Sequence, residues 1–289
     1  MLPRISLVTA VYNGEQFLED TIRSILSQGY PNLEYVIVND GSTDGTEEIL
    51  QKYEPQVTAV IKQENRGLYA ALNAGFARST GEVMGWLNSS DKLHSGGLRA
   101  VGTVFARFPE VEWITGRPTA FNQEGIATNV EAIRRWSRTR FLAGANKYIQ
   151  QESTYWRRGL WDRSGGRVDP SFRAEGDFDL WVRFFRHARL YPVDVLIAGY
   201  RFHPDALSYA GRQAYDRGCE AIVERELEAA SDGKSLKLFR RVNGSMLKIP
   251  IAGRLWRRMV MRRLYSMAGP DSPPIIEMTS TGWSFRERT

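Results

Sequence analysis

A chain of 289 residues, 42% hydrophobic and 25% charged, has the length and composition of a globular protein, one large domain or one domain with appendages, and not of a fibre or a disordered tail. Its formal net charge of +6 calls for an anionic partner, whether nucleotide, nucleic acid, acidic glycan or anionic lipid, without choosing among them. The single cysteine, Cys219, excludes an intrachain disulfide and a C-x-x-C metal site, and no uncharged apolar run approaches the roughly 20 residues that span a bilayer as a helix.

Met1-Leu2-Pro3-Arg4 leads straight into the alternation Ile5-Ser6-Leu7-Val8, which reads as a strand and not as a secretion signal. The expectation is therefore a cytoplasmic protein, soluble or peripheral at the inner face of the membrane. From residue 4 to about residue 90 one pattern recurs: a short β-branched run, a polar turn, then a stretch of helical period. Strands are expected at Ile5 to Val11, Glu34 to Asn39, Val57 to Lys62 and Glu82 to Leu87, and helices at Glu15 to Gln28, Thr46 to Lys52 and Leu68 to Arg78. Strands that alternate with helices in this way build a parallel sheet. The segment 117–150 is polar and Arg-rich and reads as loops, and a further helix is expected from Phe178 to His187.

In an open parallel sheet a ligand sits beyond the carboxyl ends of the strands. Those positions hold Thr9-Ala10-Val11-Tyr12-Asn13-Gly14, Asn39-Asp40-Gly41-Ser42, Asn65-Arg66-Gly67 and Asn88-Ser89-Ser90-Asp91, so all are polar. Turn-forming and helix-capping needs account for any single one of them about as well as a ligand does, with Asp44 and Glu47 spaced as a capping box, but they account poorly for the whole series. The chemistry suits a sugar nucleotide: Asp40 to accept from a base or ribose, Tyr12 to stack, Arg66 to meet a phosphate, and Gly14 and Gly67 to bring backbone amides near an anion. Neither a P-loop nor a G-x-G-x-x-G fingerprint is present.

The runs Val8-Thr9-Ala10-Val11-Tyr12-Asn13-Gly14, Val36-Ile37-Val38-Asn39-Asp40-Gly41-Ser42-Thr43-Asp44-Gly45-Thr46, and Asn65-Arg66-Gly67 through Trp86-Leu87-Asn88-Ser89-Ser90-Asp91 resemble family-2 glycosyltransferases of the GT-A fold, in order and in spacing. The resemblance implies an α/β, Rossmann-like mixed sheet with flanking helices and an inverting transferase of the kind that builds bacterial surface polysaccharides. It also implies a UDP-sugar donor and a glycan or lipid-linked acceptor, with Thr9, Tyr12, Asn13, Asp40, Arg66, Asn88 and Asp91 around the donor. Such enzymes carry an Asp-x-Asp or Asp-Asp cluster that holds Mg or Mn. Here a single carboxylate, Asp91, remains as a metal ligand, which opens the alternative of a non-catalytic sugar-nucleotide or glycan-binding protein.

Displacement at an anomeric carbon needs a base for the acceptor hydroxyl. Asp179 lies four residues before Arg183 and fits an exposed ion pair, whereas Asp177 lies at the helix start beside the face formed by Phe178, Trp181, Val182 and Phe185. Spacing alone leaves Asp177 equally a helix cap or a base. The stretch Tyr148 to Arg158, followed by Gly176-Asp177-Phe178-Asp179-Leu180-Trp181, is similar to the acceptor half of the same enzymes, and that similarity implies that Asp177 is the base. Gln151, Glu152, Trp156 and Glu175 are the expected acceptor residues. Tyr200-Arg201-Phe202-His203-Pro204 resembles a closing motif in which Arg201 or His203 reaches the donor diphosphate.

This divides the chain into a transferase domain at 1–212 (donor half 1–115, acceptor half 116–212), a helical basic extension at 213–268 and a disordered tail at 269–289. An acidic stretch runs from Glu220 to Asp232. Between Arg254 and Tyr265, Arg254, Arg257, Arg258 and Arg262 share one helical face, and Leu255, Trp256, Met259, Val260 and Leu264 another. That pattern fits an anionic membrane surface as well as it fits a helix packed on the domain. A nucleic-acid partner has no motif here.

Overall fold

A computed structural model describes residues 1–144, 148–204, 211–246 and 272–286. The first 93 residues alternate strands and helices as the periodicity predicts: β1 (Ile5–Val11), α1 (Leu18–Leu26), β2 (Leu33–Asp40), α2 (Thr46–Tyr53), β3 (Ala59–Gln63), α3 (Leu68–Arg78), β4 (Val83–Trp86) and the short β5 (Lys92–Leu93). Then come α4 (Gly97–Arg107), β6 (Trp113–Thr115), β7 (Thr119–Phe121), β8 (Ala127–Val130), α5 (Arg138–Leu142), β9 (Thr154–Arg157) and α6 (Arg158–Arg163). The remaining elements are α7 (Gly176–Phe185), β10 (Leu190–Pro192), β11 (Ala198–Arg201), α8 (Arg212–Ala229), α9 (Gly233–Met246), β12 (Ile275–Thr279) and β13 (Gly282–Arg286).

The main sheet has seven strands in the order β10-β6-β9-β4-β1-β2-β3. β1, β2, β3 and β4 are mutually parallel, and β9 runs antiparallel between β4 and β6. Strand residues alternate faces. Val8, Ala10, Val36 and Val38 pack with α3, α7 and α8, while Leu7, Val11, Tyr35 and Ile37 pack with α1, α2 and α4. Buried on both sides, β1 and β2 read as nearly continuous apolar runs for that reason. A second sheet, β5-β11-β7-β8, accounts for part of the segment read as loops.

Two expectations about organisation change. Cys219, Ile222, Val223 and Leu227 of α8 and Leu236 of α9 lie in the same core as α7, so no packing boundary falls at residue 212. The segment read as a disordered tail contains an antiparallel hairpin at 275–286: Ile276 is fully buried and bridges Val193, and Arg286 pairs with Asp194. Apolar alternation on both sides of a Ser280-Thr281-Gly282 turn outweighs the Pro-rich approach to it. The basic pattern at Arg254 to Tyr265 lies outside the described residues; among those described, no helix is long and apolar enough to cross a membrane.

Candidate active site

The strand order reverses between β1 and β4, which opens a crevice at their carboxyl ends. Asp40 ends β2 with its side chain buried. Its Oδ1 accepts from Gln63 Nε2 (2.7 Å) and from the Arg66 amide (3.0 Å), and its Oδ2 accepts from the Gly67 amide (2.8 Å). A carboxylate has about four lone-pair sites, so Oδ2 retains acceptor capacity toward a ligand. Gly41 follows at φ 77°, where a Cβ would stand 2.9 Å from the Asn65 amide nitrogen, so the two loops close only on glycine. Tyr12, 52% exposed, and the exposed Arg66 present their side chains to solvent at these strand ends.

Other expected donor residues serve the frame. Thr9 is fully buried in β1 and its hydroxyl accepts from Tyr35 (3.2 Å), so it does not reach the crevice. Asn13 Oδ1 accepts from the Thr43 amide (2.8 Å) and ties the first loop to the second. The amides of Gly14 and Gly67 are also taken, by Thr46 Oγ1 (2.8 Å) and by Asp40. Arg201 is 1% exposed, its guanidinium bonded to Asp20, to the Ser90 and Gln123 carbonyls, and set over the Phe17 ring at 4.9 Å. It fastens the loop after β4 and does not reach out to a diphosphate. His203 packs on the same Phe17 at 5.0 Å and is partly exposed.

Asp91, the carboxylate expected as a metal ligand, is already engaged by the protein. It is fully buried, with Oδ1 on the Arg201 amide (2.9 Å) and Oδ2 on Asn88 Nδ2 (2.9 Å). Burial pushes its carboxyl up to about 6. Among the described residues, no group of three or more His, Cys, Asp or Glu could hold an ion. A carboxyl that is enclosed, raised in pKa and bonded at both oxygens does not fit a divalent cation.

On the acceptor side, Gln151 is buried, with Nε2 on the Trp86 carbonyl (2.7 Å) and Oε1 facing Asn88 Nδ2 (3.3 Å). Trp156 is fully buried, edge-on to Trp86 and stacked on Trp161. Both belong to the frame and neither offers a surface to a sugar. Glu152 is buried, Oε1 has no protein partner among the described residues, and burial together with the Asp91 charge pushes its carboxyl well above the usual range. Asp179, expected at the surface, is 3% exposed and pairs with Arg183 (2.8 Å) and with Arg225 of α8. Spacing found the Arg183 partner, but only the fold supplies Arg225.

Asp177, in the first turn of α7, is different: partly exposed, it takes the Phe178 amide on Oδ1 (2.7 Å). Burial pushes its carboxyl up to about 7; the amides of Phe178 and of Asp177 itself pull the other way, and the neighbouring Glu175 charge adds to the rise. Glu175, partly exposed, accepts from the Ala174 amide (3.1 Å). A carboxylate that titrates near neutrality can take a proton from a hydroxyl at physiological pH. Three neighbours escaped the sequence reading: Tyr69, Tyr215 and Cys219, each of which feels the Asp177 charge. Tyr69 lies on α3 and the other two in the extension just before the acidic stretch that begins at Glu220, and neither context marks them out.

Residues 6–159 match the family described as Glycosyl transferase family 2. The chain is 41% identical over 128 residues to TuaG of Bacillus subtilis, a glycosyltransferase named for teichuronic acid biosynthesis, covering 43% of this chain and 47% of that protein. It is 27% identical over 194 residues to the uncharacterized glycosyltransferase RP339 of Rickettsia prowazekii, covering 65% and 61%. With a poly-beta-1,6-N-acetyl-D-glucosamine synthase of Staphylococcus epidermidis it shares 30% over 172 residues, covering 55% and 42%. The chain thus spans about two fifths to three fifths of the length of these relatives. Residues 1–349 of S. aureus TarS in complex with UDP-GlcNAc superpose with a TM-score of 0.66 at 17% identity, over 87% of this chain and 77% of that one, so the fold is GT-A. The family match runs from the first strand through β9 and covers more than half of the sequence, and the chain belongs to glycosyl transferase family 2.

Proposed function

We propose that the protein moves a sugar from a nucleotide-diphosphate donor, a UDP-sugar, to a hydroxyl of a glycan or lipid-linked glycan, with inversion and with Asp177 as general base. Asp177 takes the acceptor proton as the acceptor oxygen bonds to the anomeric carbon; the bond from that carbon to the phosphate oxygen breaks on the opposite face and the nucleoside diphosphate departs with the electron pair. Tyr12 and Asp40 hold the nucleoside, and Arg66 faces the phosphates. What carries the reading is the place of Asp177, partly exposed in the first turn of α7 beside Glu175; burial, which pushes its carboxyl up to about 7, supports it. Family membership supports the chemistry, the UDP-GlcNAc bound to TarS supports the donor class, and the names of TuaG and of the Staphylococcus epidermidis synthase support a surface polysaccharide as product.

Asp177→Asn is the test, read as UDP release from UDP-GlcNAc with water in the acceptor's place. Loss of a general base costs about 10²–10⁴-fold in rate, with UDP affinity retained. Because the ionised form is the active one, wild-type rate rises with pH and levels off above about 7. Loss of UDP binding in the variant, or a rate that does not follow this limb, overturns the assignment. Wild-type protein that binds UDP-GlcNAc and releases no UDP supports the non-catalytic alternative.

A further inference from the structure

α8 lies beyond the matched family segment, yet it is fastened to the helix that carries Asp177. Arg225 reaches Asp179, and Glu226 receives Arg186 of the α7 C-terminus and Arg138. Cys219, Ile222 and Val223 add to the core beside Phe178. Gly218 marks the close pass: a Cβ there would stand 2.5 Å from Glu175 Oε1, so only glycine lets α8 cross while that carboxylate keeps its place. One turn earlier, Tyr215 is partly buried against the same core and stacks on Tyr148, ring centres 6.2 Å apart at 28°.

We propose that α8 is a working wall of the catalytic half: Tyr215 shields Asp177 from water, and Gly218 lets the Glu175 carboxylate stand beside it, so that a helix outside the family segment sets how readily Asp177 takes a proton. The inference rests on the reading of Asp177 as the base. The groups facing Asp177 are Tyr69 from α3, Glu152 from the turn before β9, Glu175 from the start of α7, and Tyr215 and Cys219 from α8. Tyr215 packs on the core that contains Phe178, next to Asp177 in α7, and Tyr69, whose ring would stand 2.7 Å from a Cβ at Gly176; burial and then the Asp177 charge raise the Tyr215 hydroxyl. Tyr215 is a positioning residue: it acts on the base by excluding solvent.

The Asp177 carboxyl can be followed without substrate by NMR of protein labelled with carboxyl-¹³C aspartate, Asp177→Asn identifying the resonance. With a midpoint near 7, about a tenth of Asp177 is ionised at pH 6. Tyr215→Phe keeps the ring and the midpoint. Tyr215→Ala admits water, and the midpoint falls by about one unit or more, which raises the ionised fraction at pH 6 roughly fivefold. Gly218→Ala pushes the Glu175 carboxylate away and lowers the midpoint in the same direction, so it decides the matter if Tyr215→Ala does not fold. A midpoint unchanged in folded Tyr215→Ala, or in Gly218→Ala when the first variant is unfolded, overturns the inference. UDP release that survives Asp177→Asn overturns the base reading instead and leaves the titration to judge the helix.

Discussion

The donor edge and the acceptor edge of the central sheet use carboxylates in opposite ways. At the donor edge Asp40 takes three hydrogen bonds and Asp44 takes the Glu15 amide together with Thr46, so these acids shape loops. At the acceptor edge Asp177 and Glu152 are enclosed without a neighbouring cation among the groups that shift them, and both rise in pKa. Hydrogen bonds favour the charged form and enclosure disfavours it: against its own partial burial, the bonds from Thr46 and Glu15 hold the Asp44 carboxyl below its usual range, while enclosure leaves Asp177 a group that exchanges its proton. Asp177 and Asp179 carry the contrast within one helix: two residues apart, the first is partly exposed with no cation among the groups that shift it and the second is gripped by Arg183 and Arg225.

That contrast is broken most forcefully at Asp179. Removing one member of a buried ion pair costs about 3 kcal/mol or more, and for a chain of this size that lowers Tm by roughly 6–12 °C. Asp179→Ala is expected to melt early and, below its transition, to bind UDP normally. Abolished UDP release with an unchanged Tm would exchange the roles of the two aspartates. On the donor side, Asp40→Ala removes the acceptor proposed for the nucleoside and frees two backbone amides of the loop before α3. Charge-assisted bonds contribute about 1.5–3 kcal/mol, so UDP affinity in a calorimetric titration is expected to fall roughly tenfold to a hundredfold while the Asp177 midpoint stays put. A moved midpoint would show that the two edges are coupled after all.

How far these differences could be read from residues alone depended on whether they are local. β1 and α3 fall where periodicity put them, because apolar spacing reports burial directly. α1 begins only at Leu18, since the chain from Gly14 to Phe17 turns first, the Gly14 carbonyl accepting from the Phe17 and Leu18 amides. The base candidate was legible as a position, the first turn of a helix beside its apolar face. Its environment was not, because Tyr69 and Tyr215 come from helices far away in the chain. Thr9, Trp156, Gln151 and Arg201 show the converse: each is a residue type that suits a binding site, and each is consumed by the frame through contacts that no spacing encodes.

The smallest expected effect concerns Ser90, the position where the Asp-x-Asp resemblance leaves a gap. Its carbonyl accepts from Arg201 Nε (2.6 Å), which holds the loop, and its side chain is partly exposed, so a carboxylate added there would face the crevice with no arginine already on it. Asp91 is too enclosed to serve, and wild-type UDP affinity is therefore expected to change by less than about threefold between EDTA and millimolar Mn²⁺. A hard cation asks for at least one free carboxylate beside the phosphates. Ser90→Asp supplies it, and UDP binding in that variant should become tighter with Mn²⁺ by a few-fold and weaker in EDTA, where the new charge repels the diphosphate. Strong Mn²⁺ dependence in the wild type would mean that Asp91 leaves its Arg201 and Asn88 bonds when nucleotide arrives, and the donor edge would then share the adaptability assigned here to the acceptor edge alone.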